Sequence, residues 1–106
     1  MAAGAIAKKW LKEQFGTEIV AYVTQVGEHA IAFEGYEHIA QNPFFAANQS
    51  QIADLELYMD SVRKSLDSVG AKLTIEARHV PVGLGEPVFD RLDADIAHAL
   101  MSINAV

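Results

Sequence analysis

Apolar residues at Ala3, Ile6, Ala7, Trp10, Leu11 and Phe15 recur three and four positions apart. That spacing predicts an amphipathic helix whose other face carries Lys8, Lys9, Lys12 and Glu13. The lysines sit toward its C-terminal half, where the helix dipole favours cations, and Gly16 is a natural stop. From Thr17 to Val26 the period shortens to two. Ile19, Ala21 and Val23 point one way; Val20, Tyr22, Thr24 and Val26 point the other. Both sets are largely apolar, so this strand is expected to be covered on both faces.

Residues 27–48 hold no steady period and read as a long loop. Within it Ala30 to Phe33 suits a short strand, Asn42-Pro43 is a turn signal, and Phe44-Phe45 would anchor that turn on the core. A loop of this length in a small domain is functional, disordered or built to meet something else. The clearest helix follows, capped by Asn48 or Ser50 and marked by Ile52, Leu55, Met59, Val62, Leu66 and Val69. Fewer than three heptads favour ordinary core packing over a coiled-coil seam, and Gly70 is expected to end it.

Ala71 to Val80 alternates. Leu73, Ile75 and Ala77 are expected to face the core, with His79 continuing that set, half-buried. Lys72, Thr74, Glu76 and Arg78 face away. Pro81 breaks the strand. After a Pro/Gly loop, Asp90 can cap a last helix with a core face of Leu92, Ile96, Ala99, Leu100 and Ile103. The order α-β-long loop-α-β-α predicts an α+β fold, with helices packed on a small, mainly antiparallel sheet, in a single domain over residues 1–106.

Composition narrows the function classes. The chain of 106 residues carries a formal net charge of −6, which disfavours nucleic acid and anionic membranes as partners. It has no cysteine, which excludes disulfides and thiolate chemistry and suits a cytoplasmic protein. No apolar run reaches the roughly 18–20 residues that span a bilayer. The apolar fraction of 51% is high and hints at surface meant for a partner. Met1 directly before Ala2-Ala3-Gly4, with no N-cap, reads as a start placed inside a helix.

The chemistry-bearing residues do not assemble into a site by spacing. Gly83-Leu84-Gly85 ahead of a helix could cradle phosphate, or could be a tight turn needing positive φ. Glu86, Asp90, Asp93 and Asp95 would repel an anion there, which favours the turn. His29, His38, His79 and His98 show no metal-ligand spacing, and no metal is expected. The three aspartates also suit the first turn of a helix. Ser102 and His98 lack a third partner for nucleophilic catalysis.

Longer motifs say more. Gly83-Leu84-Gly85-Glu86-Pro87-Val88-Phe89-Asp90-Arg91-Leu92-Asp93-Ala94-Asp95, then Ala99-Leu100-Met101-Ser102-Ile103-Asn104-Ala105-Val106, resembles chorismate synthase. So do Ala2-Ala3-Gly4-Ala5-Ile6-Ala7-Lys8-Lys9, Gln41-Asn42-Pro43-Phe44-Phe45 and Asp67-Ser68-Val69-Gly70-Ala71-Lys72, in the family's order. The resemblance covers the whole chain but only the middle of the family's sequence. It implies a core domain excised from a longer enzyme, part of the family's β-α-β sandwich.

The resemblance also implies an activity: anti-1,4-elimination of phosphate from 5-enolpyruvylshikimate 3-phosphate to give chorismate, with reduced FMN and no net redox change. It implies a cytoplasmic homo-oligomer, usually a tetramer, acting on a small molecule. The family's catalytic histidines lie outside the segments matched here, so no residue of this chain is expected to be catalytic. Asn104 and Ala105 match a flavin-contacting pair. A substrate with two carboxylates and a phosphate needs converging cations, and Arg63, Arg78 and Arg91 do not obviously converge. The fragment alone is therefore expected to be inactive, to bind FMN weakly and to self-associate. Two alternatives stand beside this. One is a free-standing interaction module using the faces near Trp10, Tyr22 and Phe44-Phe45. The other is a small phosphate-binding domain using Gly83 and Gly85.

Overall fold

The computed structural model describes residues 2–104; the reading of Met1, and Ala105 and Val106, lie outside the described residues. Its elements are α1 (Ala2–Phe15), β1 (Glu18–Val26), β2 (His29–Ala30), a 3-10 turn (Tyr36–Gln41), α2 (Ile52–Lys64), β3 (Ala71–Arg78) and α3 (Leu92–Met101). The arrangement is α+β, with a three-stranded sheet in the order β2-β1-β3. Two compact units are resolved: Ile19–Ala77, and Met1–Glu18 with Arg78–Val106. No helix among the described residues is long and apolar enough to cross a membrane.

In the unit Ile19–Ala77, β1 turns into β2 through Gly27 and Glu28, pairing Gln25 with Ala30 and Val26 with His29. Gly27 has φ 54°, and a Cβ there would meet the Tyr58 hydroxyl and the Val69 side chain. Only glycine fits this close approach. β3 runs antiparallel to β1. The Gly27 N–H donates to the Gly70 carbonyl at 2.8 Å, the Thr24 hydroxyl to the Lys72 carbonyl at 3.2 Å, and the Tyr22 hydroxyl to Glu76 at 2.9 Å.

The core comprises Val26, Ile31, Ala46, Ile52 and Leu55, with Val23, Phe44, Tyr58, Met59 and Val69 packed on it. Ile52 and Leu55 thus seat the first turn of α2. The helix ends at Lys64 rather than at Gly70. Leu66 takes φ 58°, its N–H donates to the Arg63 carbonyl, and the Asp67 N–H donates to the Val62 carbonyl. These two bonds are the Schellman pattern, with leucine in the left-handed position that glycine usually holds. Helical periodicity continued to Val69 and so hid this stop.

The strand expected at Ala30–Phe33 is only His29–Ala30. Beyond it, the chain from Ile31 to Asn48 is ordered by polar side chains. The Asn42 amide nitrogen donates to the carbonyls of His38 and Ala46, both at 2.8 Å, and its oxygen accepts from the N–H groups of Phe44 and Ala46. Neither Asn48 nor Ser50 caps α2, whose N-cap is Gln51 without a side-chain cap bond; Asn48 instead donates to the Ala32 carbonyl and accepts from the Gln51 N–H, holding the turn before the helix. Buried backbone groups need such partners, and here two asparagines supply them.

The sheet faces are inverted relative to expectation. Leu73 and Ile75 are 60% and 55% exposed, while Thr74 and Glu76 are partly covered. Tyr22, Phe33 and Tyr36 cluster over the Glu76 side, and two of their hydroxyls satisfy its carboxylate. A partly covered carboxylate is tolerable once hydrogen-bonded, and the polar set of β3 takes the covered side. β1, expected to be covered on both faces, buries Tyr22 and Val26 on one side and leaves Ala21 exposed on the other.

In the other unit, α1 ends at Phe15, and the Gly16 N–H donates to the Lys12 carbonyl. Lys12 pairs with Glu18 at 3.1 Å. The hydrogen bond from Lys12, followed by its charge, holds the Glu18 carboxyl below its ordinary range. Buried Thr17 donates its hydroxyl to the His79 carbonyl at 2.9 Å. His79 is exposed, with φ 54°, not half-buried. The apolar faces expected to be core on α1 and α3 bury no residue; Ile6, Trp10, Ile96 and Ile103 are all exposed.

Candidate functional site

The glycine loop is a turn. Gly83 and Gly85 have φ 98° and 78°, and the Glu86 N–H donates to the Gly83 carbonyl at 3.3 Å. A Cβ on Gly85 would lie 2.3 Å from the backbone nitrogen of Leu92. The loop backbone therefore covers the start of α3, where an anion would have to sit. Asp90 does not cap the helix: its N-cap is Arg91, without a side-chain cap bond. Arg91 instead pairs with Asp93 at 2.7 Å, and Asp93 accepts from the Ala94 N–H. Negative charge in this first turn suits the helix dipole and opposes a phosphate.

Asn104 follows the end of α3 and is exposed; Ala105 lies outside the described residues. α3 is capped by Ser102, whose N–H and hydroxyl donate to the carbonyls of the last turn. Asn104 thus offers an amide donor and acceptor at the negative end of a helix dipole. A lone exposed amide does not suit a flavin phosphate, which needs cations or free N–H groups.

The three arginines expected to remain apart are exposed. Arg63 pairs with Asp60 at 3.1 Å and Arg91 with Asp93. The histidines also act locally. His29 packs on Tyr58 with ring centroids 4.3 Å apart. His38 lies 3.6 Å from Glu37, with its buried Nδ1 unbonded. The His98 carbonyl accepts from the Ser102 N–H. No three His, Asp or Glu side chains among the described residues could hold a metal.

Sequence reasoning missed the cluster of Tyr22, Phe33, Tyr36 and Glu76. Tyr22 donates to Glu76 at 2.9 Å and Tyr36 reaches both carboxylate oxygens, at 2.9 and 3.0 Å. It ties the 3-10 turn to β3. The only signal was a buried-strand tyrosine, and its partner emerges only from the β1–β3 register. A second missed acid, Glu34, accepts from the Gln49 N–H and the Ser50 hydroxyl. Those bonds, led by the Gln49 N–H, lower its pKa.

The family profile described as chorismate synthase matches residues 1–106. The chain is 60% identical over 106 residues to the chorismate synthase of Cupriavidus metallidurans, covering all of this chain and 29% of that protein. It is 60% identical to the chorismate synthase of Polynucleobacter asymbioticus and 58% identical to that of Paraburkholderia xenovorans, over the same shares. A crystal structure of chorismate synthase superposes with a TM-score of 0.86 at 28% identity, over 98% of this chain and 35% of that one. The chain therefore spans less than a third of the length of these curated relatives.

Proposed function

The chain belongs to the chorismate synthase family, and from that premise we propose that residues 1–106 act as one core piece of a chorismate synthase. The match of the family profile along the whole chain carries this reading. The activity is that of a lyase, converting 5-enolpyruvylshikimate 3-phosphate to chorismate and phosphate in a cytoplasmic homo-oligomer. Reduced FMN, when bound, supplies the electron density that assists loss of phosphate. Within that enzyme this chain contributes a sheet and helices as scaffold, with Asn104 and Ala105 at one edge of the flavin ring.

The chain alone is not competent in this reading. Arg63 and Arg91 are spent on their own acids, so a trianionic substrate finds no pair of free guanidiniums in them. Exchanging residues 1–106 for the matching segment of the Cupriavidus metallidurans enzyme tests the proposal. The chimera is expected to form chorismate under reducing conditions, and the isolated chain to form none. A folded but inactive chimera, or turnover by the chain alone, contradicts it.

A further inference from the structure

β3 lies at one end of the sheet order β2-β1-β3, so among the described residues no strand pairs with its outer edge. The Gly70 carbonyl accepts from the Gly27 N–H, and the Lys72 carbonyl accepts from the Thr24 hydroxyl. Both carbonyls therefore point toward β1. The direction of the backbone groups alternates along a strand, so the N–H and C=O groups of Leu73 and Ile75 point outward. An edge of this kind is a template for a further strand.

That edge is complementary to itself. It runs Ala71-Lys72-Leu73-Thr74-Ile75-Glu76-Ala77. Outward from its centre at Thr74 come aliphatic Leu73 and Ile75, then cationic Lys72 and anionic Glu76, then Ala71 and Ala77. Lys72 and Glu76 share the face of Thr74, but four residues at about 3.3 Å each hold them about 13 Å apart, too far to pair within one strand. A lone lysine guards an edge against pairing. With an acid at the matching place beyond the centre, the same strand instead selects its own register. Lys72 is exposed. Tyr22 and Tyr36 hold the Glu76 carboxylate through uncharged hydroxyls, and an ammonium opposite adds a charge-assisted bond to these.

We propose that β3 pairs with β3 of a second copy of this chain, antiparallel, about a two-fold axis at Thr74. Leu73 then lies opposite Ile75 of the second copy in a hydrogen-bonded pair, the pairing that outward-pointing backbone groups require. Lys72 lies opposite Glu76 of the second copy in a non-hydrogen-bonded pair, where side chains come closest. The contact is isologous, so each favourable pair occurs twice. Sliding either strand by two residues loses both ion pairs, and in one direction it sets Lys72 opposite Arg78. On the other face, the Leu73 and Ile75 side chains of both copies form one aliphatic cluster. The contact belongs to the isolated chain and stands apart from the family reading.

Sedimentation of the 106-residue chain at high concentration is expected to show a dimer. The chain has no cysteine, so Thr74→Cys supplies a single thiol. At the axis the two Cα atoms stand about 4.5 Å apart, within disulfide reach. Oxidised glutathione is expected to convert Thr74→Cys to a covalent dimer. It is expected to leave Lys72→Cys monomeric on a denaturing gel, because the two copies of that position stand about 13 Å apart. Lys72→Glu turns two opposite-charge pairs into like-charge pairs, and is expected to raise the dimer dissociation constant about tenfold or more. A monomer at every concentration overturns the pairing. So does a dimer that Thr74→Cys fails to cross-link, or equal cross-linking of both cysteine variants. A dimer that Lys72→Glu does not weaken overturns the register.

Discussion

Leu66 and Glu34 show how single residues set the local balance. Leu66 is 95% exposed and holds the left-handed position of a helix C-terminus. It gains almost nothing from burial and bears the steric cost of positive φ. Leu66→Gly is expected to stabilise the chain by up to about 1 kcal/mol, after the extra entropy glycine loses on folding. Urea melts should show a higher midpoint; a lower one would mean that the leucine side chain makes a stabilising contact. Glu34 makes a pH prediction. Its pKa in the folded chain lies below the unfolded value near 4.5. Its contribution is therefore complete above that value and is lost as pH falls through the lower folded pKa. Glu18 has the same sign. Thermal melts should be level from pH 7 to about 5 and then decline, with Glu34→Gln reducing the acid loss. A decline of unchanged size in that variant would remove Glu34 from the account.

At the scale of elements, position was legible and orientation was not. α1, β1, the start of α2 and β3 lie where their periodicities put them, because spacing reports an amphipathic surface directly. The facing of β3 came out reversed. Alternation says that Leu73 and Ile75 share a side, but not which side a neighbouring element covers. The cover was decided by Tyr22 and Tyr36 meeting Glu76 across 54 and 40 residues of sequence. The loop at 27–48 was similarly opaque, since its order comes from the hydrogen bonds of Asn42 and Asn48 rather than from any period. Tyr36→Phe is expected to loosen the 3-10 turn, removing bonds to a charged acceptor worth roughly 1 kcal/mol when partly exposed. Hydrogen exchange should then quicken in Tyr36–Gln41 and stay unchanged in α2. Uniform quickening would mean that the clamp supports the whole unit rather than the turn.

At the scale of the molecule, the family was legible through motif resemblance and through nothing else, and the profile match over residues 1–106 bears it out. Spacing alone left the glycine loop open to a phosphate, and the close approach of Gly85 to Leu92 closes that option. The apolar faces of α1, β3 and α3 are exposed, and the match spans 29% of the curated relative's length. In the proposed function, the flavin and substrate sites exist only in the assembled enzyme. Titrating FMN into the 106-residue chain, oxidised and then reduced, and following flavin fluorescence, tests this most directly. No saturation in the micromolar range is expected; saturable micromolar binding would contradict the account.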